Sequence, residues 1–349
     1  MDTLYANRKL PYKLSLLDKS PVAPTETAPD ALARTLHLAK QAEKWGYHRF
    51  WIAEHHNTVH LASPSPELVI AWIAGQTHRI RLGSGGVMLQ HYSPYKVAEN
   101  FNLLASIAPG RIDIGIGKAP GGLPLSTKAL QHAIHPEAKG SFNEQVNLLN
   151  KWIKPAKQND THQDEYDNLL ATPLPNIFAD GYLLGASEET ALFAAKLGWH
   201  FVFAAHLNGD KTLLENVTKA WKANSELPTI VAVQVIVAKS TDEAKRLAKE
   251  IQLWGVELEN GQKVTVATEA QAHAFVRQSG QQARSIFLRE SNLLAGTAEE
   301  VHAQLTDLQT QFGIDEFIVD TPIVDAIARL RSVLLLAQFE TINAETSVA

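Results

Sequence analysis

The 349-residue sequence contains no cysteine, and this absence limits the chemistry that the protein can perform. Without thiols there is no disulfide bond, no thiolate metal ligand, no iron–sulfur cluster and no cysteine nucleophile. Any reaction must therefore use histidine, carboxylates, lysine or arginine, hydroxyl groups or a bound cofactor.

Long hydrophobic runs and basic clusters are also missing. No eighteen apolar residues run together, and the first twenty residues lack the basic start and apolar segment of a secretory signal. We therefore expect a cytoplasmic protein with no membrane partner. The net charge is −5 and no basic stretch is present, so we expect no nucleic-acid partner. With 45% hydrophobic and 20% charged residues, the composition is that of an ordinary globular protein.

What the sequence does contain is an alternation of short apolar runs and longer segments with helical periodicity. The apolar runs predict strands at 12–17, 49–53, 79–87, 111–117, 182–185, 199–204, 229–238 and 316–320. The periodic segments predict helices at 28–46, 65–78, 93–110, 187–198, 208–224, 241–255, 297–312 and 323–341. Because the strand runs are apolar at nearly every position, they indicate burial on both faces, as in a parallel sheet.

Eight strand-then-helix units without a change in composition predict an α/β fold, a closed (β/α)8 TIM barrel formed by one domain over residues 1–349. The segments 155–180 and 256–292 break the alternation and are predicted to be insertions, the second being the longer candidate for a lid. An open nucleotide-binding sheet is less favoured, because "GSGGVM" and "GIGKAPG" both lack the G-x-G-x-x-G spacing.

In such a barrel the loops at the carboxyl ends of the strands form the ligand site. Three predicted strands are followed there by "EHH" at 54–56, "GSGG" at 83–86 and "GKAPGG" at 117–122. A further candidate is the predicted helix start near Ser187. Its backbone N–H groups and the hydroxyls of Ser187 and Thr190 form a possible phosphate site.

Simpler interpretations exist for each of these features. The His55–His56 pair could be structural, with its hydrogen bonds satisfied at the end of a strand. We expect no metal site, because adjacent residues of an extended segment point to opposite sides. The glycine runs could be turns. Ser187 could be an ordinary helix cap, and Glu188 and Glu189 beside it would repel an anion.

Five segments taken together resemble one known family. They are "AEHHN", "IRLGSGGVMLQHYSP", "GRIDIGIGKAPGG", "GASEETALFAAKLGW" and "AGTAEEVHAQLTDLQTQFGIDEFIVDTP". The family is that of the flavin-dependent bacterial-luciferase-like monooxygenases, and in particular its non-luminous members. The similarity spans nearly the whole chain apart from the two predicted insertions. The resemblance implies a TIM barrel, usually a dimer, that binds reduced FMN, or in some branches a deazaflavin, at the barrel mouth.

The resemblance also implies roles for residues of the histidine segment at 54–56 and in and after the glycine segment at 83–86. His55 corresponds to the histidine that assists oxygen chemistry at the flavin, and Glu54 to its carboxylate neighbour, so these are the predicted catalytic residues. Gly85 and Gly86 correspond to two small residues joined by a cis peptide beneath the isoalloxazine ring. Val87, which follows them, is included in the predicted cofactor site.

Further cofactor-binding residues are implied at two later segments. Lys118 stands where relatives commonly have arginine near the polar edge of the flavin, and it lacks the planar fork of that residue. The residues that correspond to the family's phosphate-binding helix start are Gly185, Ala186, Ser187 and Thr190. Gly117 stands where luciferases have a reactive cysteine, so luminescence is not expected.

These correspondences favour a two-component monooxygenase. Reduced FMN, supplied by a separate flavin reductase, would react with O2 so that a small organic substrate is oxidised. His55 is the expected acid/base group, because the ordinary pKa of histidine lies near neutrality. The protein is expected to be a homodimer. Two alternatives stay open: a deazaflavin-dependent hydride-transfer enzyme, and a flavin-binding homologue without catalytic activity.

Overall fold

The computed structural model describes residues 10–135, 139–154, 166, 169–205, 210–289 and 292–338. The strands, in chain order, are β1 Lys13–Asp18, β2 Arg49–Ile52, β3 Arg81–Ser84, β4 Val87–Met88, β5 Ile112–Gly117, β6 Asp180–Gly185, β7 His200–Ala204, β8 Ile230–Val237, β9 Leu253–Leu258, β10 Lys263–Val266, β11 Ala283–Arg289, β12 Leu294–Gly296 and β13 Glu316–Asp320. The helices are α1 Ala28–Lys44, α2 Pro66–Ala74, α3 Pro94–Ile107, α4 Pro124–Leu130, α5 Phe142–Ile153, α6 Glu188–Leu197, α7 Lys211–Asn224, α8 Thr241–Lys249, α9 Glu269–Ser279, α10 Ala298–Phe312 and α11 Ala326–Ala337.

Eight parallel strands close into a barrel in the order β1, β2, β3, β5, β6, β7, β8 and β13. The ring is completed where β13 pairs with β1, with Glu316 opposite Lys13, and where β7 pairs with β8, with Val202 opposite Ile230. The short strands β4 and β12 extend the sheet beside β5 and β8. The predicted (β/α)8 barrel is therefore confirmed.

The hydrophobic core has two layers, because successive strand side chains point to opposite faces of the sheet. The side chain of Trp51 packs inside the barrel with Leu17 and Tyr182. Its neighbours Phe50 and Ile52 belong to the larger cluster between the barrel and the surrounding helices. Burial on both faces explains why the strands are apolar at almost every position.

Buried charges close the amino-terminal end of the barrel. The guanidinium of Arg49 contacts Glu316 through Nε and Oε1 at 2.6 Å and Asp113 through Nη1 and Oδ2 at 2.6 Å. Arg81 also pairs with Asp113, and it reaches Asp180 at 2.6 Å. Charges in the protein interior are tolerated only when paired, so this end of the barrel is a structural network.

The second predicted insertion forms a small separate sheet. Strands β10, β9 and β11 pair antiparallel, and α9 packs on them through Val256, Leu258, Ala272 and Phe275. The predicted helix 241–255 is wrong in its last part, since α8 ends at Lys249 and β9 begins at Leu253. The apolar residues of "LWGVEL" serve this sheet rather than the face of a longer helix.

Some predictions fall outside the described residues. These are residues 155–165 and 167–168 of the first predicted insertion, 208–209 of the predicted helix 208–224, 290–291 of the second predicted insertion, and 339–341 of the last predicted helix. In the ranges that the structure describes, no helix combines the length and the apolar character needed to span a membrane.

Candidate active site

The four segments that the sequence singled out lie at one end of the barrel, the carboxyl ends of the neighbouring strands β2, β3, β5 and β6. Hydrogen bonds connect them from strand to strand. Gly85 N donates to Ile52 O at 2.8 Å, and Ser84 Oγ donates to Gly115 O at 2.9 Å. The residues therefore share one rim although they are far apart in sequence.

Gly85 and Gly86 form a tightly packed backbone step at this rim. Their peptide bond is cis, as the resemblance implied. A Cβ atom on Gly85 would lie 2.5 Å from Leu17 Cδ1, and one on Gly86 would lie 2.8 Å from Gly115 O. Neither position has room for a side chain. The chain then continues into β4, where Val87 is buried and pairs with β5.

One pocket of about 240 Å³ gathers most of the predicted cofactor-binding residues. Its lining includes Lys118, Gly185, Ala186, Ser187 and Thr190. Lys118 follows β5 directly, and the other four residues span the turn from β6 into α6. The sequence placed these residues at two separate loops, and the structure brings them to the same cavity.

The start of α6 supplies polar groups to this pocket. Ser187 is the N-cap residue, and its Oγ accepts a hydrogen bond from Thr190 N at 3.2 Å. The Ser187 Oγ and Thr190 Oγ1 atoms lie 2.9 Å apart. A helix start of this kind favours an anion through its free N–H groups and its dipole. Glu189 also lines the pocket and opposes this attraction.

The sequence interpretation missed one side of the pocket, which comes from α5 and α6. Phe142, Asn143 and Phe193 line it, and Lys118 Nζ lies 6.0 Å from the centroid of the Phe142 ring. A signal for this helix start was present. The capping box of Ser141 and Glu144 marks it in the sequence as S-x-x-E, but its position in space is set by the barrel.

His55 lies at the same rim on the loop after β2. Its backbone N–H donates to Ser63 O at 3.0 Å, and among the described residues its buried Nδ1 atom has no hydrogen-bond partner. Burial, aided by the charge of Lys19, lowers the pKa of His55 to about 4. The imidazole is therefore neutral near pH 7. Together with residues of its own loop, His55 lines a second cavity of about 340 Å³.

Glu54 is buried, and the protein itself occupies both oxygens of its carboxylate. Oε2 accepts from Met88 N at 3.0 Å, whereas Oε1 accepts from Tyr92 Oη at 2.8 Å and lies 2.7 Å from His56 Nε2. Glu54 thus connects the loop after β2 to the segment after β4. It is not among the residues that line the two cavities.

A polar group near His55 was not identified from the sequence. Lys19 Nζ lies 2.6 Å from Asp320 Oδ2, which also accepts from Gln234 Nε2 at 3.0 Å. Charges on Lys19 and Asp320 act on the pKa of His55 in opposite directions. The sequence signal for this ion pair was a charged residue at the end of each apolar strand, in "LLDK" and "FIVD". Over the described ranges, no three histidine or carboxylate side chains are grouped as metal ligands.

Comparison with known proteins identifies the family. The sequence matches the luciferase-like monooxygenase family over residues 13–316. It is 41% identical over 329 residues to the N-acetyl-S-alkylcysteine monooxygenase of Bacillus subtilis (strain 168), with 93% of this chain and 97% of that protein covered. The chain belongs to the luciferase-like monooxygenase family and is an oxidoreductase that incorporates oxygen.

Solved structures share the same fold. The structure of apo-MsnO8 is 29% identical, with a TM-score of 0.72 and coverage of 94% of this chain and 97% of that chain. The oxygenating constituent of 3,6-diketocamphane monooxygenase from Pseudomonas putida, solved with FMN, has 18% identity, a TM-score of 0.64 and coverage of 94% and 97%. An F420-dependent secondary alcohol dehydrogenase has 17% identity, a TM-score of 0.62 and coverage of 93% and 98%. At such identities the last two establish the fold alone.

Proposed function

We propose that this chain is the oxygenating component of a two-component monooxygenase, which uses reduced FMN and O2 to oxidise a small organic molecule. A separate reductase supplies the reduced FMN. The observation that carries the proposal is that Lys118, Ser187 and Thr190, from the ends of two neighbouring barrel strands, line one pocket.

The chemistry of the pocket fits the phosphate of FMN. An ammonium group, two hydroxyls and the N–H groups of a helix start are the donors that a phosphate monoester needs. We assign the phosphate to Lys118, Ser187 and Thr190, with Gly185 and Ala186 offering backbone next to α6. Glu189 weakens this attraction without removing it, because its side chain is exposed to water.

The Gly85–Gly86 peptide bond is cis, like that of the two small residues that the family resemblance implies beneath the isoalloxazine ring. Leu17 and Gly115 occupy the space that a Cβ atom would take at these glycines, so a ring would contact the other side of this backbone. We assign the isoalloxazine ring to this surface, beside the buried Val87. When bound, the reduced flavin supplies the electrons that activate O2.

His55 is the residue to which we assign proton transfer. Its imidazole is neutral at pH 7 because burial lowers its pKa to about 4. Its Nδ1 atom, for which the described residues supply no partner, can accept a proton there. Negative charge that develops nearby raises the pKa of an imidazole, so proton uptake is favoured only while the reaction proceeds.

The insertion Leu253–Arg289 is the segment to which we assign the exclusion of water. Its helix α9 contacts α4, which follows the Lys118 loop, and Leu125 N donates to Gln278 Oε1 at 3.1 Å. Leu123 packs against the core of the inserted sheet. A cover joined to a cofactor-binding loop can close the mouth of the barrel.

An exposed apolar face supports a homodimer. Leu68 and Trp72 of α2 and Leu103 and Ile107 of α3 are large hydrophobic side chains that remain exposed, and the two helices contact each other. Exposed large apolar side chains on two contacting helices favour an interaction site. We assign it to a second copy of the chain. Sedimentation of Trp72→Glu tests this: a monomer is expected, and an unchanged dimer would exclude this face.

The substrate proposal starts from the relative in Bacillus subtilis. At 41% identity over nearly the whole chain, N-acetyl-S-alkylcysteines are the first compounds to test. We propose a thioether of this kind as substrate, oxidised at the mouth of the barrel near His55.

Cofactor titration followed by turnover tests the function. The purified protein is titrated anaerobically with FMN, reduced FMN and reduced deazaflavin, and after addition of O2 the oxidised products of a panel of thioethers are measured. Tight binding of reduced FMN with O2-dependent formation of an oxidised thioether is expected. Hydride transfer with the deazaflavin, independent of O2, would replace the proposal with a dehydrogenase. Flavin binding without an oxidised product from any substrate would indicate a homologue without catalytic activity.

A further inference from the structure

The loop that carries Lys118 is held by three hydrogen bonds to three consecutive carbonyl groups. They run from Gln90 Nε2 to Ala119 O at 2.9 Å, from His91 Nε2 to Pro120 O at 2.8 Å and from His56 N to Gly121 O at 2.8 Å. All three donors belong to the segment after β2 or the segment after β4. The position of the loop therefore depends on these two segments.

Glu54 fixes both donor segments at once. Its carboxylate accepts from Met88 N and Tyr92 Oη, which lie on either side of Gln90 and His91, and it lies 2.7 Å from His56 Nε2. Because a buried carboxylate is stable only with such partners, these contacts hold together as a unit.

The loop 117–122 packs tightly against Glu54 and His56. Gly121 has a φ of +65°, and a Cβ atom there would lie 3.1 Å from Glu54 O and 3.3 Å from His56 Cδ2. At Gly122 a Cβ atom would lie 2.9 Å from His56 O. A shift of the residues around Glu54 must therefore move the loop.

We propose that Glu54, Gln90, His91 and Tyr92 form a clamp that positions Lys118 in the pocket at the start of α6. This rests on the proposed function, in which Lys118 binds the phosphate of FMN. The clamp residues are positioning residues, and they act through the loop 117–122. Lys118 directly precedes Ala119, whose carbonyl Gln90 holds, so the clamp sets the position of the Lys118 Cα atom from which the ammonium group extends.

A double-mutant cycle on FMN affinity tests the clamp. The effect of Lys118→Met on FMN affinity is measured in three backgrounds: the native protein, Tyr92→Phe and Tyr95→Phe. The last is a matched control, because Tyr95 Oη donates to Leu170 O at 3.0 Å, away from the clamp. Riboflavin, which lacks the phosphate, reports on the rest of the site.

In the native protein, Lys118→Met is expected to weaken FMN binding about tenfold and to leave riboflavin binding unchanged. In Tyr92→Phe the loss caused by Lys118→Met should fall to about twofold, since residues that act as one unit are not additive. In Tyr95→Phe it should stay near tenfold.

The outcomes separate the clamp from the proposed function. An equal loss in the native protein and in Tyr92→Phe overturns the clamp, while the phosphate contact of Lys118 stands. No loss in the native protein overturns that phosphate contact and the clamp with it. If Tyr92→Phe does not fold, Gln90→Leu takes its place, because it removes the hydrogen bond to Ala119 O directly. The loss of FMN affinity caused by Lys118→Met is then compared between the native protein and Gln90→Leu, with the same interpretation.

Discussion

Ser187 and Thr190 hold their hydroxyl oxygens 2.9 Å apart in the first turn of α6, at the wall of the pocket that Lys118 also lines. In an isolated helix this pair would be an ordinary cap. Beside an ammonium group, and at the rim where the barrel presents its glycine step, the two hydroxyls become candidates for binding a phosphate.

Replacing Ser187 with alanine tests the phosphate assignment. The variant loses one hydrogen bond to a charged group, so the affinity for FMN should fall about tenfold while that for riboflavin is unchanged. Fluorescence titration measures both. Ser240→Ala is the matched control, because Ser240 Oγ caps α8 in the same way and accepts from Glu243 N at 3.2 Å. Equal FMN affinities in the two variants would refute the assignment.

Replacing His55 with alanine tests its catalytic assignment. The affinity for FMN should be nearly unchanged, because His55 is not among the residues that line the phosphate pocket. The kcat should fall by about 10²- to 10⁴-fold, the usual contribution of acid–base catalysis. Stopped-flow measurement of substrate oxidation gives the rate. The control is His60→Ala, an exposed histidine on the same loop. Native turnover in the His55 variant would remove this residue from the mechanism.

The protonation of His55 also predicts a pH dependence of stability. Burial lowers its pKa from 6.5 to about 4, so the unfolded chain takes up the proton at a higher pH than the native protein does. The contribution to stability is complete above pH 6.5 and is lost as the pH falls toward 4. Between pH 7 and pH 5 the melting temperature of His55→Gln should therefore fall less than that of the native protein. Parallel pH profiles for the two proteins would contradict the lowered pKa.

Replacing a charged residue at the opposite end of the barrel should lower the stability of the protein without weakening FMN binding. Glu316→Gln removes one of the two carboxylates that pair with Arg49 and leaves Asp113 as the other, so the unfolding free energy should fall by about 1.5–3 kcal/mol, the cost of losing a buried hydrogen bond to a charged group. Urea unfolding measures this loss. Glu99→Gln, in an exposed pair with Lys96, should change stability by less than about 1 kcal/mol. Because Glu316 lies far along the strand from the rim, the folded variant should bind FMN normally, and weakened binding would show that the two ends are coupled.

Much of the fold is predictable because most residues of each barrel strand are buried, so that apolar residues predominate in the strands. The strand Ile230–Val237 is an example, with all eight residues buried. The error at 241–255 has a local cause. The segment "LWGVEL" is apolar enough for either a helix or a strand, and only its pairing with the strand Ala283–Arg289 makes it a strand.

The site was predictable where the residues adjoin a strand end, and unpredictable where contacts join distant parts of the chain. His55, Gly85 and Lys118 each follow an apolar run, so the barrel fold alone brings them to one rim. The ion pair of Lys19 and Asp320 joins residues 301 positions apart, and periodicity carries no information about such partners. Their roles as cofactor and catalytic residues come from the family resemblance and stay predictions.

The most direct measurement is a crystal structure of the protein with FMN. The phosphate is expected within about 3 Å of Ser187, Thr190 and the Lys118 ammonium group, and the ring against Gly85 and Gly86. A flavin bound elsewhere, or one whose phosphate lies away from the start of α6, would contradict this expectation.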